Sequence, residues 1–273
     1  MKEFLDAIGR PDGEFDLVGA ALLIARDEYP ELDVARYRER LSRMVGEARA
    51  RTKAAGGNPF ATIDALNDYL FGVEGFSGNH EEYFDPRNSY LNEVLDRKRG
   101  IPITLSVVYM EVASGAGFPV EGVGFPGHFL VRHAAEGREI LIDPFHAGEI
   151  LMPEDCRRRL SAVYGEDVRL ESRFFETADK RAIVIRMLHN LKHLYLRSQD
   201  HARALRVVER LMLVAPHDPL HVRDRGLAHA GLNRYGSAVA DLERYLKLSP
   251  GASDQDAVEK QIKSLRRMTA MLN

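Results

Sequence analysis

The stretch DPRNSYLNEVLDRKRGIPITLSVVYMEVA (85–113), continued by GAGFPVEGVGFPGHFLV (115–131) and closed by ILIDPFH (140–146), decides how this chain folds. A helix is expected near 89–97, ended by Arg99-Gly100. A second helix begins at Pro102, since proline suits the first helical position, and runs to about Gly115. Ile103, Leu105, Val107, Val108, Met110 and Val112 make it apolar nearly all round, which predicts a central, buried helix. Three short strands follow at 119–124, 128–133 and 139–143. A helix packed on an antiparallel sheet is an α+β layout.

The last two strands bring one pair of residues together. HisPheLeuValArgHis (128–133) and ArgGluIleLeuIleAsp (138–143) flank AlaAlaGluGly, which reads as a hairpin. With the turn centred between Ala135 and Glu136, His128 faces Asp143, Leu130 faces Leu141 and Arg132 faces Glu139. Directly opposed side chains lie roughly 5 Å apart at Cβ. A carboxylate there fixes the imidazole tautomer and stabilises its protonated form, as the acid of a catalytic triad does. The plainer alternative is an Asp–His hydrogen bond that pins the hairpin. A slip of one residue in register separates the pair.

Working outward, residues 14–28 and 33–53 read as two helices, with apolar stripes at Leu17, Ala20, Ala21, Ile24 and at Val34, Tyr37, Leu41, Met44, Ala48. A third follows Asn58-Pro59, and a Gly-rich loop spans 72–80. From 180 onward the chain is helical and self-similar. Shifting 201–216 by 34 residues lays Ala204 on Ala238, Glu209 on Glu243, Arg210 on Arg244 and Pro216 on Pro250. A 34-residue period of helix pairs ending in proline is the signature of tetratricopeptide (TPR) repeats. Leu188, Leu191, Tyr195, Ala204, Val208 and Pro216 fit the first repeat. Gly226, Ala238, Leu242 and Pro250 fit the second, which has His229 at its tyrosine position. A final helix at 254–271 completes a small capped array. The expected domains are therefore 1–178 and 179–273.

Bulk properties exclude several classes. The 273 residues are 45% hydrophobic, ample for an apolar core, and the net charge is −3. No basic excess points to nucleic acid and none to an anionic membrane surface. The longest apolar run, LVGAALLIA (17–25), is too short to span a bilayer, and MKEFLDAIGR has no signal-peptide core. One cysteine, Cys156, forms no intramolecular disulfide and suits a reducing cytoplasm. No cofactor motif is read. The expectation is a soluble, cytoplasmic protein.

A nucleophile is harder to place. A reactive thiol of this kind sits at a helix N-terminus, where exposed N–H groups lower its pKa. Here that position is GlyIleProIleThr (100–104), without a cysteine. Thr104 and Ser106 carry hydroxyls, which need strong activation by a base. Thr104 also reads as a helix-start residue bonding its own backbone. Cys156 follows Glu154 and Asp155, precedes Arg157 and Arg158, and reads as a structural thiol. Candidate metal ligands are His128, Asp143 and His146, His189 with His193, and His217 with His221. No metal site is expected, because none carries a fuller ligand pattern.

The blocks 85–113, 117–132 (GFPVEGVGFPGHFLVR) and 141–148 (LIDPFHAG) resemble the bacterial SirB family of transglutaminase-like proteins with C-terminal TPR repeats, over residues 30–250. The resemblance implies a transglutaminase-like, papain-like core with helices before it. In that superfamily a Cys–His–Asp triad performs acyl transfer or amide hydrolysis. Its His maps to His128, its Asp to Asp143, and its Cys falls within Pro102–Thr104, where none stands. The resemblance also draws attention to Asp85, Arg87, Asn88, Asn92, Arg99 and Pro102 as pocket residues. Asn88 or Asn92 would donate as oxyanion-hole amides do, with helix capping the plainer role.

Two functions follow. One is a degenerate, non-catalytic transglutaminase-like module joined to repeats that bind a protein or peptide, with Lys192, Arg197, Arg203 and Arg206 favouring an acidic one. Solvated helix faces explain those charges equally well. The other is a hydrolase or acyltransferase on His128 and Asp143, attacking through Thr104, Ser106, Cys156 or water.

Overall fold

The structure is a computed structural model that describes residues 2–11, 14–135, 137–165 and 169–272. It divides into two compact units, Met1–Met187 and Leu188–Asn273.

The first unit opens with α1 (Lys2–Ile8), α2 (Leu17–Ala25), α3 (Val34–Thr52) and α4 (Pro59–Asn67). All nine residues of α2 are buried. Capping fixes where these helices begin. Asp16, Asp33 and Asn58 each accept a backbone N–H from the first turn, satisfying donors that have no partner within the helix. Two short strands, β1 (Ser77–Gly78) and β2 (Arg99–Gly100), pair in parallel around α5 (Leu91–Arg97). Then comes α6 (Pro102–Gly115), with ten of its residues buried from Pro102 to Ala113. The all-round apolar pattern of 102–115 has its explanation here: α6 packs on α2, α3 and α5 as well as on the sheet.

That sheet has five antiparallel strands in the order β6-β5-β4-β3-β7. They are β3 (Glu121–Val123), β4 (Leu130–Ala135), β5 (Arg138–Asp143), β6 (Glu149–Leu151) and β7 (Thr177–Ala178), with α7 (Pro153–Tyr164) between the last two. The fold is thus α+β, as the sequence predicts. β6 and β7 escape sequence reading because three and two residues cannot display a period of two.

The hairpin forms with a shifted register. Val131 pairs with Ile142, Arg132 with Leu141 and Ala135 with Arg138, so the turn centre lies one residue further along than expected and every pairing shifts by two; Glu136 itself is outside the described residues. A shift of two keeps every side chain on its expected face. His128 is not in the strand but in the turn before β4, where its N–H donates to Phe125 O at 3.0 Å.

In the second unit, α8 (Lys180–Arg197) contains the division between the units and leads to α9 (His201–Val214), α10 (Pro219–Gly231), α11 (Tyr235–Leu248) and α12 (Gln255–Leu272). α9 and α11 have the same length and lie 34 residues apart at both ends. Ala204 and Ala238 are both fully buried, as are Val208 and Leu242. The sequence period is therefore a structural repeat. α9 packs on α10, α10 on α11 and α11 on α12. Gly226 is the close-approach point of the last repeat, since a Cβ there would stand 3.0 Å from the Leu242 side chain.

Candidate functional site

Asp143 ends β5 and organises the site. Its side chain is fully buried, and Oδ1 accepts the Phe145 N–H at 3.0 Å, which starts a single turn over Pro144–His146. That turn folds His146 back, and His146 Nδ1 donates to Asp143 Oδ2 at 2.8 Å. His128 Nε2 lies 2.9 Å from both carboxylate oxygens. Arg159, from α7, bonds Asp143 Oδ2 through Nη1 and Glu149 Oε2 through Nη2 at 2.8 Å. Burial alone pushes the Asp143 carboxyl up. The His128 hydrogen bond and charge, then His146 and Arg159, outweigh it and hold the group well below the usual carboxylate range.

An ionised carboxylate only accepts hydrogen bonds, so the nitrogens facing it, His128 Nε2 and His146 Nδ1, carry the protons. In the neutral ring, His128 Nδ1 is then the nitrogen with a lone pair. Among the described residues no hydroxyl or thiol hydrogen-bonds to His128.

The other candidate residues make no hydrogen bond to that imidazole among the described residues. Thr104 is fully buried; its hydroxyl donates to Asn88 O at 2.8 Å and accepts the Ile101 N–H at 3.1 Å. Ser106 is fully buried, with no partner for Oγ among the described residues. Cys156 packs in an apolar cluster with Val123, Phe125, Leu130 and Leu160, and burial pushes its thiol up against the opposing charge of Arg159. A thiol raised in this way is a poor nucleophile.

The polar block before α6 is scaffolding in this structure. Asp85 accepts the Arg87 N–H and pairs with Arg87 and Arg97. Asn88 accepts from Asn79 at 3.1 Å and donates to Glu82 O at 2.7 Å. Asn92 is buried with Oδ1 unpartnered among the described residues. Pro102 takes the first position of α6, and exposed Arg99 stands 3.7 Å from Glu81. Replacing Thr104 by valine keeps the shape and strands the Ile101 N–H and the Asn88 carbonyl. We expect a loss of about 1–3 kcal/mol in urea unfolding; an unchanged midpoint contradicts the capping role.

Three residues at the site carry no sequence signal strong enough to single them out. Arg159 is one of three consecutive arginines and is distinguished only by the helix face it occupies. Glu149 lies opposite Asp143 across the β5–β6 ladder. His80 ends the Gly-rich loop and brings its ring to 4.4 Å from Phe145 and 5.4 Å from His146. Gly78 makes this approach possible, because a Cβ there would stand 2.5 Å from Phe145 O. A cleft of about 890 Å³ lined by Phe60, Phe118, His133, Ile140 and Met152 lies elsewhere and contains none of the candidate residues.

In the second unit, Lys192 is only 7% exposed and its amine bonds Asp224 at 2.5 Å. Arg197 and Arg203 are exposed, Arg203 pairing with Asp200 at 2.6 Å, and Arg206 is half-buried.

Comparison with known proteins agrees with this architecture. A model of the transglutaminase-like superfamily matches residues 35–189, and one of the tetratricopeptide repeat matches residues 191–263. A UPF0162 protein of Xylella fastidiosa strain Temecula1 is 40% identical over 93% of this chain and 91% of its own length. One from Vibrio cholerae is 29% identical over 93% of this chain and 95% of its own. F-box only protein 21 of Mus musculus is 38% identical over 116 residues, 38% of this chain and 18% of its own. No solved structure matches the chain.

Proposed function

The chain belongs to the SirB-like UPF0162 family, a transglutaminase-like domain followed by tetratricopeptide repeats, and on that premise we propose that it is a non-catalytic adaptor that binds a protein or peptide. The observation that carries this reading is Thr104. It closes the span Pro102–Thr104 in which the resemblance places the superfamily nucleophile, and its hydroxyl is buried and committed to two backbone groups. A hydroxyl becomes a nucleophile only beside a base, and none of its hydrogen-bond partners is one. His128, Asp143 and Arg159 then act as an ion-pair lock at the end of β5.

Binding is assigned to the repeats, whose stacked helices present extended surfaces to partners. Lys192 serves the interior through Asp224. Arg197, Arg203 and Arg206 add positive charge that favours an acidic segment. No described helix is long and apolar enough to cross a membrane. The single cysteine is a buried free thiol, which fits a reducing cytoplasm.

The test is fluorescence anisotropy of the intact chain with a Glu-rich and a Lys-rich peptide of equal length. The expected result is preference for the Glu-rich peptide, weakened at least about tenfold by Arg197→Glu with Arg203→Glu, since reversing two charges replaces attraction by repulsion. Equal binding of both peptides, or no effect of the reversal, counts against the adaptor reading.

A second reading has one observation in its favour. His128 Nδ1 is free of hydrogen-bond partners among the described residues, and the ring remains 14% exposed. A base so placed accepts a proton from a bound water, making a hydrolase without a side-chain nucleophile.

A further inference from the structure

The groups around Asp143 converge on a point. His128 Nε2, His146 Nδ1 and an Asp143 carboxylate oxygen all lie within 4.8 Å of one another. Two imidazoles and a carboxylate are the donor set of zinc-type sites, with bonds of about 2.0–2.2 Å. Donor atoms around such an ion stand roughly 3–3.5 Å apart. The present separations, at most 4.8 Å, exceed that value by little more than an ångström.

A cation already sits at this point. Arg159 Nη1 bonds Asp143 Oδ2 and stands 3.2 Å from His146 Nδ1 and 3.5 Å from His128 Nε2. One guanidinium nitrogen thus touches all three donor atoms. The other end of the guanidinium is held separately, Nη2 on Glu149 Oε2 at 2.8 Å, and Glu149 is 46% exposed. Arg159 therefore has a partner on which to stay when Nη1 withdraws.

We infer that His128, Asp143 and His146 form a binding site for one divalent transition-metal ion of zinc type, and that Arg159 is its built-in competitor. Metal and Nη1 alternate on Asp143. When the ion enters, the imidazole protons move from His128 Nε2 and His146 Nδ1 to the outer nitrogens, so each ring stays neutral and turns its lone pair to the metal. Arg159 swings toward Glu149 and solvent. Three protein ligands leave one position for water, the pattern of an open site rather than a closed structural one. The inference goes beyond the adaptor reading and stands whether or not the repeats bind an acidic peptide.

The experiment titrates the intact chain with Zn2+ against a chromogenic chelator, and with Co2+ read by its visible absorption. The expected result is one ion per chain, bound at least about tenfold more tightly by Arg159→Met, because a charge-assisted hydrogen bond no longer competes. Adding His146→Gln or His128→Gln to Arg159→Met abolishes that gain. The wild-type chain supplies a readout that does not depend on the Arg159 variant folding. Its weaker binding is lost in His146→Gln, whose side chain is 40% exposed and replaceable. Zn2+ affinity unchanged by Arg159→Met, binding that survives His146→Gln, or no binding by either wild type or Arg159→Met overturns the inference.

Discussion

Replacing Asp143 by alanine is expected to lower the stability of the chain by about 3–5 kcal/mol, the cost of removing one partner from a buried ionic cluster. Asp143 is fully buried, and the groups it holds are nearly so, His128 at 14% and Arg159 at 19% exposure. Without the carboxylate, Arg159 keeps its charge and only Glu149 answers it. His128 and His146 lose their acceptor, and the Phe145 N–H loses its cap. Urea unfolding of the intact chain measures the loss; a change under about 1 kcal/mol, the worth of an exposed pair, refutes the cluster as a lock. Acidity has a defined sign. The folded chain keeps Asp143 ionised at pH values where the unfolded chain has protonated it. The unfolded state therefore binds more protons below the ordinary aspartate value of about 3.9. The carboxylate's contribution is complete above that value and drains as pH falls below it, so wild type and Asp143→Ala converge in acid.

Asp224→Ala is expected to cost the repeat unit a similar amount, about 3–5 kcal/mol. Asp224 is 3% exposed and accepts from Lys192 at 2.5 Å and from Arg223 at 2.9 and 3.1 Å. Arg223 continues to Asp254 at 2.7 Å, which accepts from Tyr245 at 2.7 Å. Alanine leaves the Lys192 ammonium buried at 7% exposure without its acceptor. Replacing both partners, Lys192→Met with Asp224→Leu, removes the stranded charge and is expected to recover most of the loss. Thermal unfolding of the two variants decides the matter. A double variant no better than the single one means that the loss comes from repacking rather than from the stranded charge.

Regular features were the legible part of this fold. The nearly all-round apolar character of 102–115 announces a central helix, and α6 is that helix. The 34-residue shift places α9 on α11 end to end. Periodicity survives in a sequence because every turn repeats the same burial. The hairpin register was legible only in parity. Alternation along 128–143 fixes which face each side chain takes, while the turn length fixes which residue it opposes, and that turn carries no Asn-Gly signal.

The site was legible where one short block held the chemistry. His128 and Asp143 lie in strand-like segments that the sequence pairs. Arg159, Glu149 and His80 reach Asp143 or its neighbours from three other elements, and nothing in a linear pattern reports such convergence. Lys192 shows the converse. As a letter on a helix it reads like any surface lysine, and only the position of Asp224, 32 residues later, turns it inward. Long amphipathic side chains take the partner that the fold supplies.

The proposed adaptor role requires that this transglutaminase-like frame have no attacking group. It is tested most directly by assaying the intact chain, beside His128→Ala, for ammonia release from glutamine-containing peptides and for amine incorporation into them. Both proteins are expected to show the same background rate across neutral pH. Turnover above background by the wild-type chain that disappears in His128→Ala would contradict it and make His128 a working base.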